Sequence, residues 1–172
     1  NTTPTDSWVD LFSGDGSYNS FNSDGTIRYV SAQTGIVYRV TYPNANSSEP
    51  SSFTEISPAE GIFVAPFEMD PNTDLRMYYA GQLQLWRNNN LPAATTFSGW
   101  TLLFTAPANI STIGISKLPA NVVYFGTTNG RIYKITNAHT GTPAPVDIST
   151  GKGLPTGNVS SISINETNAD DV

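Results

Sequence analysis

The chain has 172 residues, of which only 13% are charged, and a formal net charge of −6. Phosphate binding needs clustered cations, so the absence of any basic run argues against nucleic acid or anionic lipid as a partner. The lack of cysteine excludes a disulfide framework and a thiolate metal site, and no apolar run approaches the roughly 18 residues of a membrane span.

The N-terminal stretch "NTTPTDSW" lacks a starting Met and any signal pattern, which is typical of a mature or excised segment. A first unit, residues 13–57, then opens with the glycine turn "SGDGS". Within it, "IRYVSAQTGIVYRVT" at 27–41 predicts two strands joined by a turn, and "SFTEIS" at 52–57 predicts an outer strand.

The next units repeat this layout, and each has an inner strand, a strand pair and an outer strand. The second unit has "FVAPFEM" at 63–69, "RMYYAGQLQLWRNN" at 76–89 and "GWTLLFT" at 99–105; the third has "ISTIGIS" at 110–116, "VVYFGTTNGRIYKIT" at 122–136 and "APVDIS" at 144–149. A fourth unit begins with "VSSISI" at 159–164. Ile and Val beside small residues are expected of inner strands crowded near an axis.

Three aligned features define the repeat. A first aromatic (Tyr29, Tyr78, Tyr124) is followed by a second aromatic (Tyr38, Trp86, Tyr133) and then directly by a cation (Arg39, Arg87, Lys134). Successive copies lie about 47 residues apart, and no stretch has the pattern of an ordinary amphipathic helix. Four short strands per period predict the blades of a β-propeller, because small sheets bury both faces only by stacking on their neighbours.

We therefore predict an all-β fold, a β-propeller segment of about three and a half four-stranded blades. The blades cover about 13–57, 62–105 and 110–149, with the start of a fourth at 159–172. Because a closed ring needs about 4 to 8 blades, the segment is expected to belong to a larger propeller of 6 to 8 blades. The alternative is an open β array that another chain completes.

"NVVYFGTTNGRIYKIT", "ISTIGIS" and "FVAPFEMDPNTDLRMYYAGQLQLWRNNN" resemble the repeats of secreted BNR/sortilin-type (VPS10-like) propellers. "SGDGSYNSFNSDGTIRYVSAQTGIVYR" is similar to segments of large secreted propeller proteins of Bacteroidetes-type bacteria. The resemblance covers about residues 8–172 and implies a secreted or cell-surface location. It is shared by non-enzymatic receptors, adhesins and xyloglucan-cleaving glycosidases. The Asp-box of this superfamily, S-x-D-x-G-x-T-W, is only hinted at around 87–101, which argues against the glycosidase and sialidase branches.

Propeller geometry brings the loops before each inner strand, and those between the second and third strands, to one face. We call this the loop face, and we expect ligands to meet it. Its predicted residues are Asp15, Gln33, Glu60, Gln82, Asn109, Asn129 and Asn158. Asp15, between two glycines, is a candidate Ca²⁺ ligand or catalytic carboxylate; the alternative is a tight turn in which it bonds its own backbone.

Glycoside hydrolysis needs two carboxyl groups about 5 to 10 Å apart, and Asp15 with Glu60 is the pair we consider. Asp70 precedes a proline and is interpreted as a turn residue, although it lies near Glu68. His139 is interpreted as a solvated loop residue, since one imidazole makes neither a metal site nor a triad. We expect the second aromatics in the core, and the cations either covering neighbouring strands or paired with carboxylates such as Glu55 and Asp147.

The resulting hypothesis is a secreted or cell-surface propeller module that binds a protein or glycan, or has a scaffolding role, without catalysis. No cofactor is expected apart from Ca²⁺, and the expected partner is the rest of the propeller or a neighbouring chain. One alternative is a fragment of a propeller-type glycoside hydrolase with Asp15 and Glu60 as its carboxylates. The other is a subunit of an extracellular assembly whose open edge strands are capped by a partner.

Overall fold

The computed structural model describes residues 13–172, which form three four-stranded antiparallel sheets. The first sheet holds β1 (Asn19–Phe21), β2 (Ile27–Ser31), β3 (Val37–Thr41) and β4 (Ser52–Glu55); the second holds β5 (Phe67–Met69), β6 (Met77–Gly81), β7 (Gln84–Asn88) and β8 (Trp100–Thr105); the third holds β9 (Ile110–Ile115), β10 (Val123–Thr127), β11 (Ile132–Ile135) and β12 (Val146–Asp147). Each sheet pairs its strands in chain order, so each is a simple meander. This confirms the predicted all-β fold.

Helical structure among residues 13–172 is limited to two short 3-10 turns, Gln33–Gly35 and Leu91–Ala93. No helix in this part of the chain is long and apolar enough to cross a membrane. The second sheet has the shortest turn between its middle strands, only Gln82 and Leu83, because Gly81 and Gln84 face each other in the ladder. Gln82 takes a positive φ of 51° to close this two-residue hairpin.

The first aromatic and the cation of each repeat face each other across two strands. The register pairs Tyr29 with Arg39, Tyr78 with Arg87 and Tyr124 with Lys134. Residues directly opposite in a ladder lie on the same face of the sheet, so the first two pairs face the next sheet along the chain and the third faces residues 159–172. All three tyrosines are at most 1% exposed, which places them in equivalent buried positions.

The core lies between successive sheets. One cluster joins Tyr29, Val37 and Ile56 of the first sheet and its outgoing loop to Met77 and Tyr79 of the second sheet. A second cluster joins the second sheet to the third by the same kind of contact; it includes Tyr78, Leu85, Val123, Phe125 and Ile135. Each cluster is shared by two successive sheets and neither lies within a single sheet, as stacked propeller blades require.

The predicted role of the repeat cations is corrected in part. Arg39 Nη1 donates to the carbonyl oxygens of Leu91 (2.7 Å) and Ala94 (3.1 Å), in the loop between the third and fourth strands of the next sheet. Arg87 Nη1 makes the equivalent bonds to Ala138 (2.7 Å) and Gly141 (3.0 Å). Backbone carbonyls, rather than Glu55 or Asp147, accept these bonds, because the cation side of the sheet is packed against the neighbouring blade.

The expected fourth inner strand also differs. Residues 159–164 are assigned to no ladder, although they pack against the third sheet. Ser111 Oγ donates to Val159 O (2.7 Å), and the cluster of Val122 and Tyr124 includes Ile162, Ile164 and Ala169. A segment joins a ladder only when another strand lies beside it, and among residues 13–172 no second strand lies beside 159–164.

Candidate functional site

The loops predicted to share one face are joined there by backbone hydrogen bonds. Ile110 N–H donates to Gln82 O (2.8 Å), and Thr128 N–H donates to Asn109 O (2.9 Å). Gly61 N–H donates to Thr34 O (2.8 Å) in the same way. The bonds of Ile110 and Gly61 link a turn between second and third strands to the start of the next inner strand or to the segment before it, whereas the bond from Thr128 to Asn109 lies within the third sheet. The loop face is thus one continuous surface in the described part of the chain.

Asp15 is held beside Gln33 by its backbone rather than its carboxylate. Asp15 N–H donates to Gln33 Oε1 (2.9 Å), and the Asp15 residue is exposed. A Cβ on Gly14 would lie 2.8 Å from the same amide oxygen, so the glycine permits this close approach. Two of the predicted residues are therefore brought together, with the Asp15 carboxylate left on the surface.

Glu60 lies between two adjoining cavities on the loop face. A cavity of about 300 Å³ is lined by Ala59, Glu60, Gly81, Gln82, Leu83, Gln84 and Thr105. A second, of about 260 Å³, is lined by Thr34, Gly35, Ile36, Glu55, Ser57, Ala59, Glu60 and Phe97. Ala59 and Glu60 belong to both, so the two cavities form one groove, which we call the Glu60 groove.

Tyr79 holds two backbone segments that line the Glu60 groove. Its hydroxyl oxygen lies 2.8 Å from the carbonyl oxygens of both Gly35 and Ala59, one from each of two sheet connections. Burial raises the pKa of Tyr79 well above its ordinary value, a direction that keeps the phenol protonated and able to donate. The loop carrying Glu60 is therefore positioned by a buried side chain of the second sheet.

Phe97 and Glu55 are groove residues that the sequence analysis did not place there. Phe97 is 73% exposed, has a positive φ of 59°, and donates its N–H to Ser57 O (3.1 Å). It belongs to the stretch "LPAATTFS" between the third and fourth strands of the second sheet, a stretch that interrupts the Asp-box-like sequence. The insertion is visible in the sequence as an interruption of the Asp-box-like motif. Residue spacing does not predict its contact with the connection that leaves the first sheet.

The three predicted asparagines lie further along the loop face. Asn129 lines a separate cavity of about 290 Å³ with Arg131, Thr150 and Thr156 among its other residues. Asn109 is half-buried and contributes its carbonyl to the neighbouring turn, as described above. Asn158 is exposed and lines none of the cavities named here. The structure thus joins Glu60 with Gln82 but keeps the asparagines apart from them.

Glu68 lies in a different groove, along the first strands of successive sheets. A cavity of about 330 Å³ is lined by Glu68, Pro71, Gly114, Ile115, Lys117, Ile162, Ser163, Ile164 and Glu166. Burial raises the pKa of Glu68 to about 7, opposed by a hydrogen bond from the Ile115 backbone and reinforced by nearby Asp70. Asp70 accepts from Arg76 (2.7 Å) and from Asn72 N–H (2.9 Å), so its predicted turn role is seen in the structure.

His139 differs from its predicted environment. It is half-buried, its carbonyl oxygen accepts from Asn89 Nδ2 (3.0 Å), and its Nδ1 is buried without a partner among residues 13–172. The described residues contain no cluster of three His, Asp or Glu side chains arranged to hold a metal. Ca²⁺ binding by Asp15 stays a prediction.

Stacked four-stranded meanders define the class of this protein, an all-β chain of β-propeller type. No family model and no curated protein matches the sequence. Among solved structures, the chain is similar to the computationally designed Ika4 protein, with a TM-score of 0.60 and 12% identity over 92% of this chain and 84% of that one. It is also similar to an ancestral GH74 enzyme, with a TM-score of 0.60 and 14% identity. That match covers 91% of this chain but only 21% of the enzyme.

Proposed function

We propose that the protein is a secreted or cell-surface β-propeller module that binds a glycan or protein ligand on its loop face and does not catalyse a reaction on it. The observation that carries this proposal is the Glu60 groove. It combines a carboxylate at its centre, the amide side chains of Gln82 and Gln84, hydroxyls of Thr34 and Ser57, and the exposed ring of Phe97. Polar groups around an exposed ring suit a neutral polar ligand such as a glycan.

The groove also supports a binding role because its walls come from two sheets. The first sheet and its outgoing loop supply Glu55 and Glu60, and the second sheet supplies Gln82 and Phe97. Because the two sheets share a buried core, the walls are held at fixed separation without a ligand. A pre-formed groove costs little ordering entropy when a ligand binds.

The test is a glycan array followed by calorimetric titration with xyloglucan oligosaccharides and any array hit. Glu60→Gln is expected to weaken binding about tenfold, from the loss of a charge-assisted hydrogen bond. The matched control is Glu49→Gln, an exposed carboxylate in the loop between β3 and β4 at the other end of the sheet, which is expected to leave affinity unchanged. Equal losses in both variants, or retained affinity in Glu60→Gln, would contradict the proposal.

A second candidate is part of a glycoside hydrolase in which Asp15 and Glu60 are the carboxylates. It is favoured by one observation: Asp15 contacts Gln33, and the loop of Glu60 contacts Thr34, so both border the same turn. Likeness to an ancestral GH74 enzyme supports the fold of such a protein. Sugar release from xyloglucan that Asp15→Asn or Glu60→Gln abolishes would replace the binding proposal with this one.

A third candidate is a subunit of an extracellular assembly, or a segment within a ring of 6 to 8 blades, in which other blades cover the outer sheets. Light scattering that gives a single monomeric species at all concentrations would count against the subunit.

Ca²⁺ binding at Asp15 is tested by calorimetric titration of the wild-type protein and of Asp15→Asn with CaCl₂.

A further inference from the structure

The third sheet has a cavity of its own on the loop face, separate from the Glu60 groove. It measures about 290 Å³, and its walls are the turn at 129–131 and the outgoing loop at 149–156. Arg131 is the one charged side chain among its lining residues, so we call it the Arg131 pocket. The charged residues that line the Glu60 groove are instead Glu55 and Glu60. The two cavities therefore differ in the sign of their charge.

Asp147 holds the guanidinium of Arg131 by one of its nitrogens. Arg131 Nη1 donates to Asp147 Oδ2 (3.2 Å) and to the hydroxyl of Thr150. Asp147 Oδ1 accepts from the N–H groups of Ser149 (2.9 Å) and Thr150 (3.0 Å). The bonds from Thr150 and Ser149 hold the pKa of Asp147 well below its ordinary value, so its carboxylate stays charged. Asp147 is thus a positioning residue for Arg131.

The other edge of the Arg131 guanidinium is open. Nε and Nη2 have no acceptor among residues 13–172, and the side chain is 43% exposed. The N–H groups along this edge point in parallel and match the two oxygens of a carboxylate. Arg39 and Arg87 differ, because their guanidinium groups bind carbonyl oxygens of the next sheet. The pocket therefore presents a fixed guanidinium edge to a ligand.

The outgoing loop adds backbone donors beside this edge. Gly151 and Gly153 take positive φ angles of 74° and 69°, and a Cβ at either would meet no atom within 4 Å. These glycines therefore serve the backbone conformation and are not there to make room. The N–H groups of Gly151, Gly153, Leu154 and Thr156 have no acceptor among residues 13–172. Unpaired N–H groups in such a loop favour an anion.

The repeat does not account for Arg131. At the equivalent position, two residues before the second aromatic, the first two sheets carry Ile36 and Gln84. Both of these sheets stack on a neighbour without a cation there, so the fold does not require one. A few placed polar groups in a cavity fix the orientation and the specificity of a ligand. Arg131 fits such a role in recognition.

The Arg131 pocket and the Glu60 groove lie on one continuous surface. Gln82, which lines the groove, accepts from Ile110 N–H (2.8 Å). The preceding residue, Asn109, accepts from Thr128 N–H (2.9 Å), and Asn129 next to it lines the pocket. An oligosaccharide that follows the loop face from groove to pocket would leave two carboxylates and reach a guanidinium.

We propose that the Arg131 pocket binds the carboxylate of a uronic acid residue, so that the loop face selects an acidic glycan over a neutral one. This rests on the proposed function, which assigns glycan binding to the loop face. The open guanidinium edge takes the two carboxylate oxygens. Around it, the hydroxyls of Ser149, Thr150 and Thr156 and the amide of Asn129 suit the hydroxyl groups of a sugar ring.

The test compares acidic oligosaccharides with their own uncharged forms. The probes are tetragalacturonate and a hyaluronan tetrasaccharide, each titrated calorimetrically beside its methyl ester, which keeps the rings and linkages. At least one acid is expected to bind about tenfold more tightly than its ester. Added salt should weaken the acid and not the ester.

Two failures are distinguishable in this comparison. Equal affinity of acid and ester in both pairs would overturn the acidic subsite and leave glycan binding on the loop face standing. No binding by any of the four probes would also overturn the subsite, while the glycan array and Glu60→Gln decide the proposed function separately.

Substitutions of Arg131 assign the preference to this pocket. Arg131→Gln is expected to bring the ratio of acid to ester affinity to about one. Arg131→Lys keeps a cation beside Asp147 but loses the paired donors, so a ratio of about three is expected. The matched control is Arg28→Gln, at the start of β2 and at the opposite end of the sheet from the loop face, which should leave the ratio unchanged. An unchanged ratio in Arg131→Gln, or an equal fall in Arg28→Gln, would contradict the proposal.

The role of Asp147 is tested by Asp147→Asn. If Asp147 positions the guanidinium, the variant lowers the ratio of acid to ester affinity, whereas a purely structural role would weaken both ligands equally. Thermal unfolding of each variant confirms that it is folded.

Two further probes test the class of ligand. Hexaglutamate carries carboxylates on a peptide, and a κ-carrageenan tetrasaccharide carries sulfate on a glycan. Both are expected to bind at least about tenfold more weakly than the preferred uronic acid oligosaccharide. Equal affinity for hexaglutamate would overturn the assignment to a glycan, and equal affinity for the sulfated probe would overturn the assignment to a carboxylate.

Discussion

The guanidinium of Arg87 donates to the carbonyl oxygen of Ala138, 2.7 Å away and 51 residues later in the chain. Arg39 makes the equivalent bond to Leu91 at 2.7 Å, 52 residues later. Each bond joins the third strand of one sheet to the third connection of the next. The repeated aromatic–cation pattern of the sequence therefore marks contacts between successive sheets as well as the strands within each sheet.

Removing the Arg87 side chain is expected to weaken the boundary between the second and third sheets. Arg87 is only 5% exposed, so Arg87→Ala leaves the buried carbonyl of Ala138 without its donor, removes the bond to the exposed Gly141, and should lower the free energy of unfolding by about 2–4 kcal/mol. The matched control is Arg28→Ala, since Arg28 donates to Ala45 O at 3.2 Å within the first sheet's own loops, in an exposed setting. Its loss should cost less than about 1 kcal/mol. Urea titrations of both variants compare them, and similar losses would contradict the interpretation.

The hydroxyl of Tyr124 is expected to hold the last turn of the chain. It donates to Ala169 O at 2.6 Å, whereas the equivalent hydroxyl of Tyr78 is buried without a partner among residues 13–172. Tyr124→Phe should cost about 1 kcal/mol, and Tyr78→Phe should be neutral or slightly stabilising, because it removes an unsatisfied group. Urea titration, with hydrogen exchange at residues 165–172, measures this difference. A larger loss in Tyr78→Phe would show that its hydroxyl has a partner in solution.

Gly126 is expected to be required for residues 159–164 to pack on the third sheet. A Cβ at this position would lie 2.5 Å from Val159 Cγ1, so Gly126→Ala should displace Val159 and destabilise the chain by about 1–3 kcal/mol. A Cβ at Gly157 would have no other atom within 4 Å, so this position serves as the control. Thermal unfolding of Gly126→Ala and Gly157→Ala compares them. Equal transition temperatures would mean that the segment is not packed there.

Glu68 is expected to make stability fall as the pH rises. Burial raises its pKa to about 7 in the folded state, against an ordinary value of 4.5. Between these two values the folded state binds more protons than the unfolded state, so the free energy of unfolding decreases with rising pH across this window. The total change is on the order of 3 kcal/mol, and it is complete about one pH unit above the folded pKa.

The variant Glu68→Gln tests this, because it keeps the shape of the side chain and removes the titration. Urea unfolding at pH 5 and pH 8 should show a smaller difference in the variant than in the wild type. The neighbouring titratable groups are Tyr18, Asp70, Lys117 and Glu166, and these are unchanged in the variant. An identical pH dependence in both proteins would assign it to another group.

The fold was largely predictable because period and alternation are local properties of a sequence. The spacing of Tyr29, Tyr78 and Tyr124 predicted equivalent positions in successive sheets, and all three are buried in such positions. Element ends were less predictable: "APVDIS" suggested six residues of strand, but β12 is only Val146–Asp147. Strand length depends on how far the neighbouring strand extends, and that is not visible within the strand itself.

The candidate site, like the fold, was predictable from the sequence only in part. Propeller geometry predicted that Glu60 and Gln82 lie on one face, and they line one cavity. It did not predict Phe97, which comes from an insertion in the second sheet and donates its N–H to Ser57 O in the connection that leaves the first sheet. Nor did it predict the raised pKa of Glu68, since burial is produced by strands from other sheets.

The sequence by itself determined the repeat, the strand type and the residues that face the neighbouring sheets, because side chains alternate along a strand wherever it lies. Only the tertiary structure decided which groups the cations bind, which cavities Glu60 joins and that residues 159–164 pair with no strand among residues 13–172. These depend on distances between residues that are about 50 positions apart. Such distances are set by the stacking of whole sheets, which no local pattern records.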